Sequence, residues 1–274
     1  MAPNVKPERI ITLTTDFGYE DGYVGVVKGV ILKICSLARI VDLSHEIQPW
    51  NISAASWILA NSFSYFPEGT VHVAVVDPSV GSRRRFLLLD AGGHYFIGPD
   101  NGIFSGVLSM VTDEIRAFEL TEKSYWLPEV STSFHARDVF APVAAHFIAG
   151  VSADKFGNEV SADSLSHLPA REPKLKQDRL EGSVVYVDRF GNLITNIKRD
   201  FVRTASLCQV GKRSIGRIGQ TYASAEQGAP VAFVGSHGYL EIAVTQGRAN
   251  EKLDAGVNTP VILFQSTPAP LKPE

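Results

Sequence analysis

The first 150 residues alternate short apolar runs with stretches of helical period, a rhythm that few folds accommodate. Ile10 to Thr14 reads as a buried strand, Tyr23 to Ile34 as a helix and Arg39 to Leu43 as a second strand. Ile52 to Ser64 then reads as a helix and Thr70 to Val76 as a third strand. Phe86 to Leu89 and Tyr95 to Ile97 form a pair joined by the Gly92-Gly93 turn, and a helix is expected from near Phe134 to Gly150. Alternation of this kind predicts a largely parallel sheet covered by helices.

The rhythm changes near residue 165. Leu168 to Gln177 carries Pro169 and Pro173 among charges, which is linker composition. Short strands with turn signals follow, at Ser183 to Val187, Val231 to Val234, Tyr239 to Val244 and Pro260 to Phe264, without a long amphipathic helix. The expectation is an α/β domain over 1–165, a linker over 166–179 and a smaller all-β, barrel-like domain over 180–274.

Composition narrows the function classes. Apolar residues make up 45% of the chain, enough for a substantial core. The 26 Lys and Arg against 29 Asp and Glu give a net charge of −3, which offers no electrostatic footprint for nucleic acid or an anionic membrane. Cys35 and Cys208 are too few for a disulfide framework and lack metal-ligand spacing. The polar start Met1 to Arg9 has no apolar leader, and Val24 to Ile34 is broken by Lys28 and Lys33. A soluble, cytoplasmic protein is expected.

Four predicted strands end in or run into a carboxylate: Asp16, Asp42, Asp77 and Asp100. Ligands of open α/β sheets bind outside the carboxyl ends of the strands, so some of these acids should belong to a site. A single Asp there is more often a turn former or helix cap. Asp77 is followed by Arg83, Arg84 and Arg85, of which Arg83 and Arg85 read as solvated. His135 opens a predicted helix, where the dipole favours its neutral form. No dinucleotide, P-loop or zincin motif is present.

Seven segments then appear in order: Thr15-Asp16-Phe17-Gly18, Gln48-Pro49-Trp50, Asp77 to Arg84, Gly98-Pro99-Asp100-Asn101-Gly102, Phe134 to Asp138, Asp188 to Asn196, and Ser236-His237-Gly238-Tyr239-Leu240. Together they resemble the S-adenosyl-L-methionine hydroxide adenosyltransferases, relatives of the fluorinase and chlorinase. The resemblance implies attack of water on C5′ of S-adenosylmethionine, giving adenosine and methionine, without cofactor or metal. It implies a homotrimer with sites at subunit interfaces.

Carried over by motif, Asp77, Arg84 and His135 are the catalytic triad of the water-using members. Asp16 binds the ribose diol, Trp50, Phe190 and Tyr222 wall the pocket, and Asn192 reads the adenine edge. Asp188 meets the methionine ammonium and Ser236 its carboxylate. The halogenases carry Ser at the Ala136 position, an aromatic at Asp77, a longer loop than Ser82 to Tyr95, and Arg where this chain has His237. The first three departures favour water over halide. Competing readings are a non-catalytic sensor of adenosine or S-adenosylmethionine, a halogenase, and a metal-dependent phosphoesterase.

Overall fold

The structure, a computed structural model, describes residues 9–176, 179–202 and 205–265. The start of the chain, Gln177 and Asp178 of the expected linker, Arg203 and Thr204, and the tail from residue 266 lie outside the described residues. The chain divides into two compact units at the junction of Leu168 and Pro169.

The first unit runs β1 (Ile10–Thr15), α1 (Tyr23–Ile34), β2 (Arg39–Ser44), α2 (Ile52–Ala60), β3 (Val71–Val75), β4 (Phe86–Ala91) and β5 (His94–Pro99). It continues with α3 (Ser105–Leu108), β6 (Arg116–Glu119), α4 (Ala141–Ile148) and β7 (Glu159–Val160). The sheet order is β2-β1-β3-β5-β4-β6-β7. β2, β1, β3 and β5 are mutually parallel, whereas β4, β6 and β7 add antiparallel because β4 and β5 form a hairpin.

β1 is buried along its whole length, as a central parallel strand must be. Ile11, Leu13, Val71 and Val73 pack with Val27 and Ile31 of α1 and with Val143 and Ala144 of α4. On α1 the buried Val24, Val27 and Ile31 recur at helical spacing. α2 stops at Ala60 rather than Ser64, because Asn61 turns its Nδ2 back onto the Trp57 carbonyl. The helix expected from Phe134 opens as a π-type turn, Ala136–Phe140, before becoming α4. Pro142 sits in the first turn of α4, where its missing N–H costs least.

The second unit contains β8 (Lys174–Lys176), β9 (Arg179–Val187), β10 (Leu193–Lys198), α5 (Arg199–Val202), β11 (Ala205–Val210) and β12 (Arg213–Gly216). β13 (Pro230–Val234), β14 (Tyr239–Val244), α6 (Ala249–Leu253) and β15 (Pro260–Gln265) complete it. Its path β12-β11-β15-β9-β10-β14-β13 is antiparallel throughout. Ile218, just beyond β12, bridges Ala232 on β13, so the sheet nearly closes into a barrel. Leu180, Val184, Ile197, Ile242 and Leu263 fill its interior. Cys208 is buried there, and burial pushes its thiol up to about 12, which leaves it unreactive. Among the described residues no helix is long and apolar enough to cross a membrane.

Candidate active site

The parallel strands β1, β3 and β5 deliver their carboxyl ends to one edge of the first unit's sheet. Asp16 follows β1 directly and Asp77 follows β3 by two residues. Both line a cavity of about 150 Å³, together with Trp50, Phe134, His135 and Ala136. The other two strand-end acids are engaged elsewhere. Asp100 holds Arg85 at 2.7 Å and accepts from the Ser166 backbone. Asp42 pairs with Lys28 at 2.6 Å and accepts from the Tyr19 hydroxyl. Arg85, expected in solvent, is therefore a fixed strut, because Asp100 and the Ser164 carbonyl both draw it inward.

Asp77, Arg84 and His135 converge on one another. Arg84 Nε donates to Asp77 Oδ2 at 2.5 Å, and Nη2 reaches the same carboxylate. The two side chains are only 5% exposed. Arg84 Nη2 also lies 2.9 Å from His135 Nδ1. A guanidinium can only donate, so Nδ1 is the acceptor and the neutral ring carries its proton on Nε2. Burial and the Arg84 charge hold the His135 pKa below the ordinary histidine value, against the opposing pull of Asp77 and Asp138. Burial does here what the helix dipole was expected to do.

Asp77 Oδ1 accepts from Ser79 Oγ at 2.9 Å and makes a longer contact with Asn101 Nδ2 at 3.5 Å. The loop from Asp77 to Arg84 is tight. Gly81 has φ +82°, and a Cβ there would stand 2.9 Å from the Thr132 carbonyl oxygen. Only glycine fits that approach.

Asp16 Oδ2 accepts from the Trp50 backbone N–H at 2.8 Å. Trp50 has φ +67°, a left-handed conformation rare for a bulky residue, and its side chain is 73% exposed. The bond to Asp16 fixes this conformation and leaves Oδ1 of Asp16 for another partner.

The second unit gathers a separate cluster. Asp188 accepts from the Asn192 backbone N–H at 2.8 Å and from Asn192 Nδ2 at 2.9 Å. Asn192 Nδ2 lies 3.4 Å from the Tyr222 hydroxyl, which donates to Glu241 Oε1 at 2.7 Å. Burial and the hydrogen bond to Glu241 push the Tyr222 pKa up, and burial pushes Glu241 up as well. Phe190, in the turn between Asp188 and Asn192, is 73% exposed. Ser236 is exposed in the turn between β13 and β14, next to Gly235, whose Cα faces the Glu241 carboxyl.

Sequence reasoning missed Glu241, which reads as one more residue of a strand. It also missed Ser79 and Asn101, although both lie within motifs quoted for the resemblance. Among the described residues no three His, Cys, Asp or Glu side chains converge as a metal site would require.

The comparisons with known proteins fit this geometry. Residues 11–157 match the SAM hydroxide adenosyltransferase N-terminal domain, and residues 182–262 match the C-terminal domain of the same family. The (R)-S-adenosyl-L-methionine hydrolase of Thermus thermophilus is 38% identical over 93% of this chain and 100% of its own. The fluorinase of Nocardia brasiliensis is 28% identical over 85% of this chain and 89% of its own. The crystal structure of an uncharacterized conserved protein from Thermotoga maritima superposes with a TM-score of 0.87 at 31% identity, covering 93% of this chain and all of that one. This chain belongs to the SAM hydroxide adenosyltransferase family.

Proposed function

We propose that this protein hydrolyses S-adenosyl-L-methionine, in the (R) configuration named for its Thermus relative, to adenosine and L-methionine. The observation that carries the reading is the Asp77–Arg84–His135 constellation on the wall of a small cavity. The sulfonium leaves as a neutral thioether, so neither a general acid nor a Lewis acid is needed to expel it. Water is the weak participant, and must be placed in line with the C5′–S bond and relieved of a proton.

The triad divides that work. The Nδ1 lone pair of His135 is held by Arg84, so His135 is not the base. Asp77 is: its Oδ1 accepts from Ser79 and keeps a second acceptor site for the attacking water once the long Asn101 contact yields. As the water oxygen bonds to C5′, the C5′–S electron pair passes to sulfur and the water proton passes to Asp77. Arg84, bonded to Asp77 through Nε and Nη2, keeps the carboxylate aimed between turnovers.

Asp16 offers its free oxygen to the ribose diol. Trp50, Phe190 and Tyr222 give the adenine and the sulfonium apolar and π-faced walls. Asn192 reads the adenine edge, Asp188 meets the methionine ammonium and Ser236 its carboxylate. The 150 Å³ cavity is smaller than the roughly 300–1,000 Å³ that ligand sites usually enclose. Trp50 and Phe190 are both 73% exposed, which supports the reading that each unit supplies half a site. In a homotrimer the first unit of one subunit would meet the second unit of its neighbour.

Ala136 on the cavity wall carries no hydroxyl to replace part of a halide's hydration, which favours water over halide as nucleophile. Incubation with S-adenosylmethionine in the presence of EDTA should release adenosine and methionine in equal amounts. Recovery of unchanged substrate at high protein concentration would instead identify a binding protein.

A further inference from the structure

Asp138 lies three residues beyond His135, does not line the cavity, and is completely buried. A buried carboxylate demands partners, and the partners of Asp138 all lead to the cavity wall. Its Oδ2 accepts from the Ser131 backbone N–H at 2.8 Å and from the Ser131 hydroxyl at 2.7 Å. The same hydroxyl accepts from the Phe134 backbone N–H at 3.1 Å. On its other side Asp138 accepts from Arg137 Nε at 2.6 Å, and the Arg137 guanidinium covers the Phe134 ring at 5.1 Å. The Ser131 backbone in turn hydrogen-bonds the His135 imidazole.

We propose that Asp138 is a positioning residue for hydrolysis: through Ser131 and Arg137 it fixes Phe134 and the His135 ring against the nucleophile's side of the cavity. This rests on the hydrolase reading and deepens it. The local backbone suits the task. Asp138 occupies the π-type turn that follows His135, and its own amide donates to the Phe134 carbonyl. Such turns widen the helix and let a side chain point where a regular helix would not place it. Burial opposes its ionisation, but the bonds from Arg137 and Ser131 outweigh this and hold its pKa below the usual carboxylate value. It is therefore a fixed anion whose charge is fully engaged in geometry.

The test uses Asp138→Asn and the milder Ser131→Ala, which removes only the bridging hydroxyl. Both should lower kcat at least tenfold while the dissociation constant for adenosine stays within twofold of wild type. The His135 ring nitrogens, read by long-range ¹H–¹⁵N NMR, should report a single Nε2–H tautomer in wild type and a mixture in both variants. Should Asp138→Asn fail to fold, Ser131→Ala decides alone. A folded variant with wild-type kcat and an unchanged tautomer would overturn the proposal. If wild type itself releases no adenosine, the hydrolase reading fails, and the NMR comparison still judges whether Asp138 orients His135.

Discussion

Arg84 Nη2 sits 2.9 Å from His135 Nδ1 while the same guanidinium grips Asp77, so one cation orients both an imidazole and a carboxylate. The arrangement persists only while His135 is neutral, because a protonated ring would present a second donor to Arg84. Burial and the Arg84 charge depress the His135 pKa, so the neutral form prevails at neutral pH and is lost only in acid. The kcat–pH profile should therefore be flat through pH 7 and fall on an acid limb below the ordinary histidine value of 6.5. A limb centred above that value would contradict the assignment.

The roles should separate under mutation. Asp77→Asn and His135→Ala should reduce kcat by about 10²–10⁴, the scale for removing general base catalysis or its support. Adenosine affinity should change little in either. Asp16→Ala should instead weaken adenosine binding by about 1–3 kcal/mol, the cost of leaving buried polar partners unpaired. Equal loss of affinity in all three, measured by calorimetry, would contradict the division.

Much of this was legible in the chain, and what was not has identifiable causes. The apolar runs of β1 and β3 and the helical period of the 12-residue α1 are local signals, and the helix spans Tyr23–Ile34 as read. β6 and β7, four and two residues long, are too short to show a period, and β6 is recruited by pairing with β4. The π-type turn leaves no local signature beyond Pro142. The Asp77–Arg84–His135 contact joins residues 51 positions apart, so spacing alone could not reveal it, and the family resemblance did. Asp138 and Glu241 stayed hidden because their partners lie across a loop or a strand pair.

Acid should also weaken the first unit from within. His72 and His94 face each other at 3.2 Å inside the sheet, and His72 Nδ1 meets the Thr12 hydroxyl at 2.7 Å. Burial lowers His72 from 6.5 to about 3 and lowers His94 as well. A histidine depressed in the folded state binds its proton more readily when unfolded. Stability is thus full above pH 6.5 and declines as pH falls from there toward 3, at about 1.4 kcal/mol per pH unit for each such proton. Urea unfolding at several pH values should show this slope, reduced in His72→Gln; an equal slope in both proteins would rule these groups out.

Subunit mixing tests the shared site. Asp77→Ala and Asn192→Ala chains, each nearly inactive alone, should regain about one quarter of wild-type activity when randomly co-assembled, because one interface in four pairs two intact halves. A monomeric protein, or a mixture as inactive as its parents despite proven exchange, would confine each site to one chain.

The most direct measurement follows the nucleophile itself. Turnover of S-adenosylmethionine in ¹⁸O-labelled water, analysed by mass spectrometry, should place one labelled oxygen at the 5′ position of adenosine and none in methionine. Asp77→Asn should form that product far more slowly. Adenosine lacking the label at C5′, or a 5′-halogenated nucleoside when halide is supplied, would contradict attack by water positioned at Asp77, Arg84 and His135.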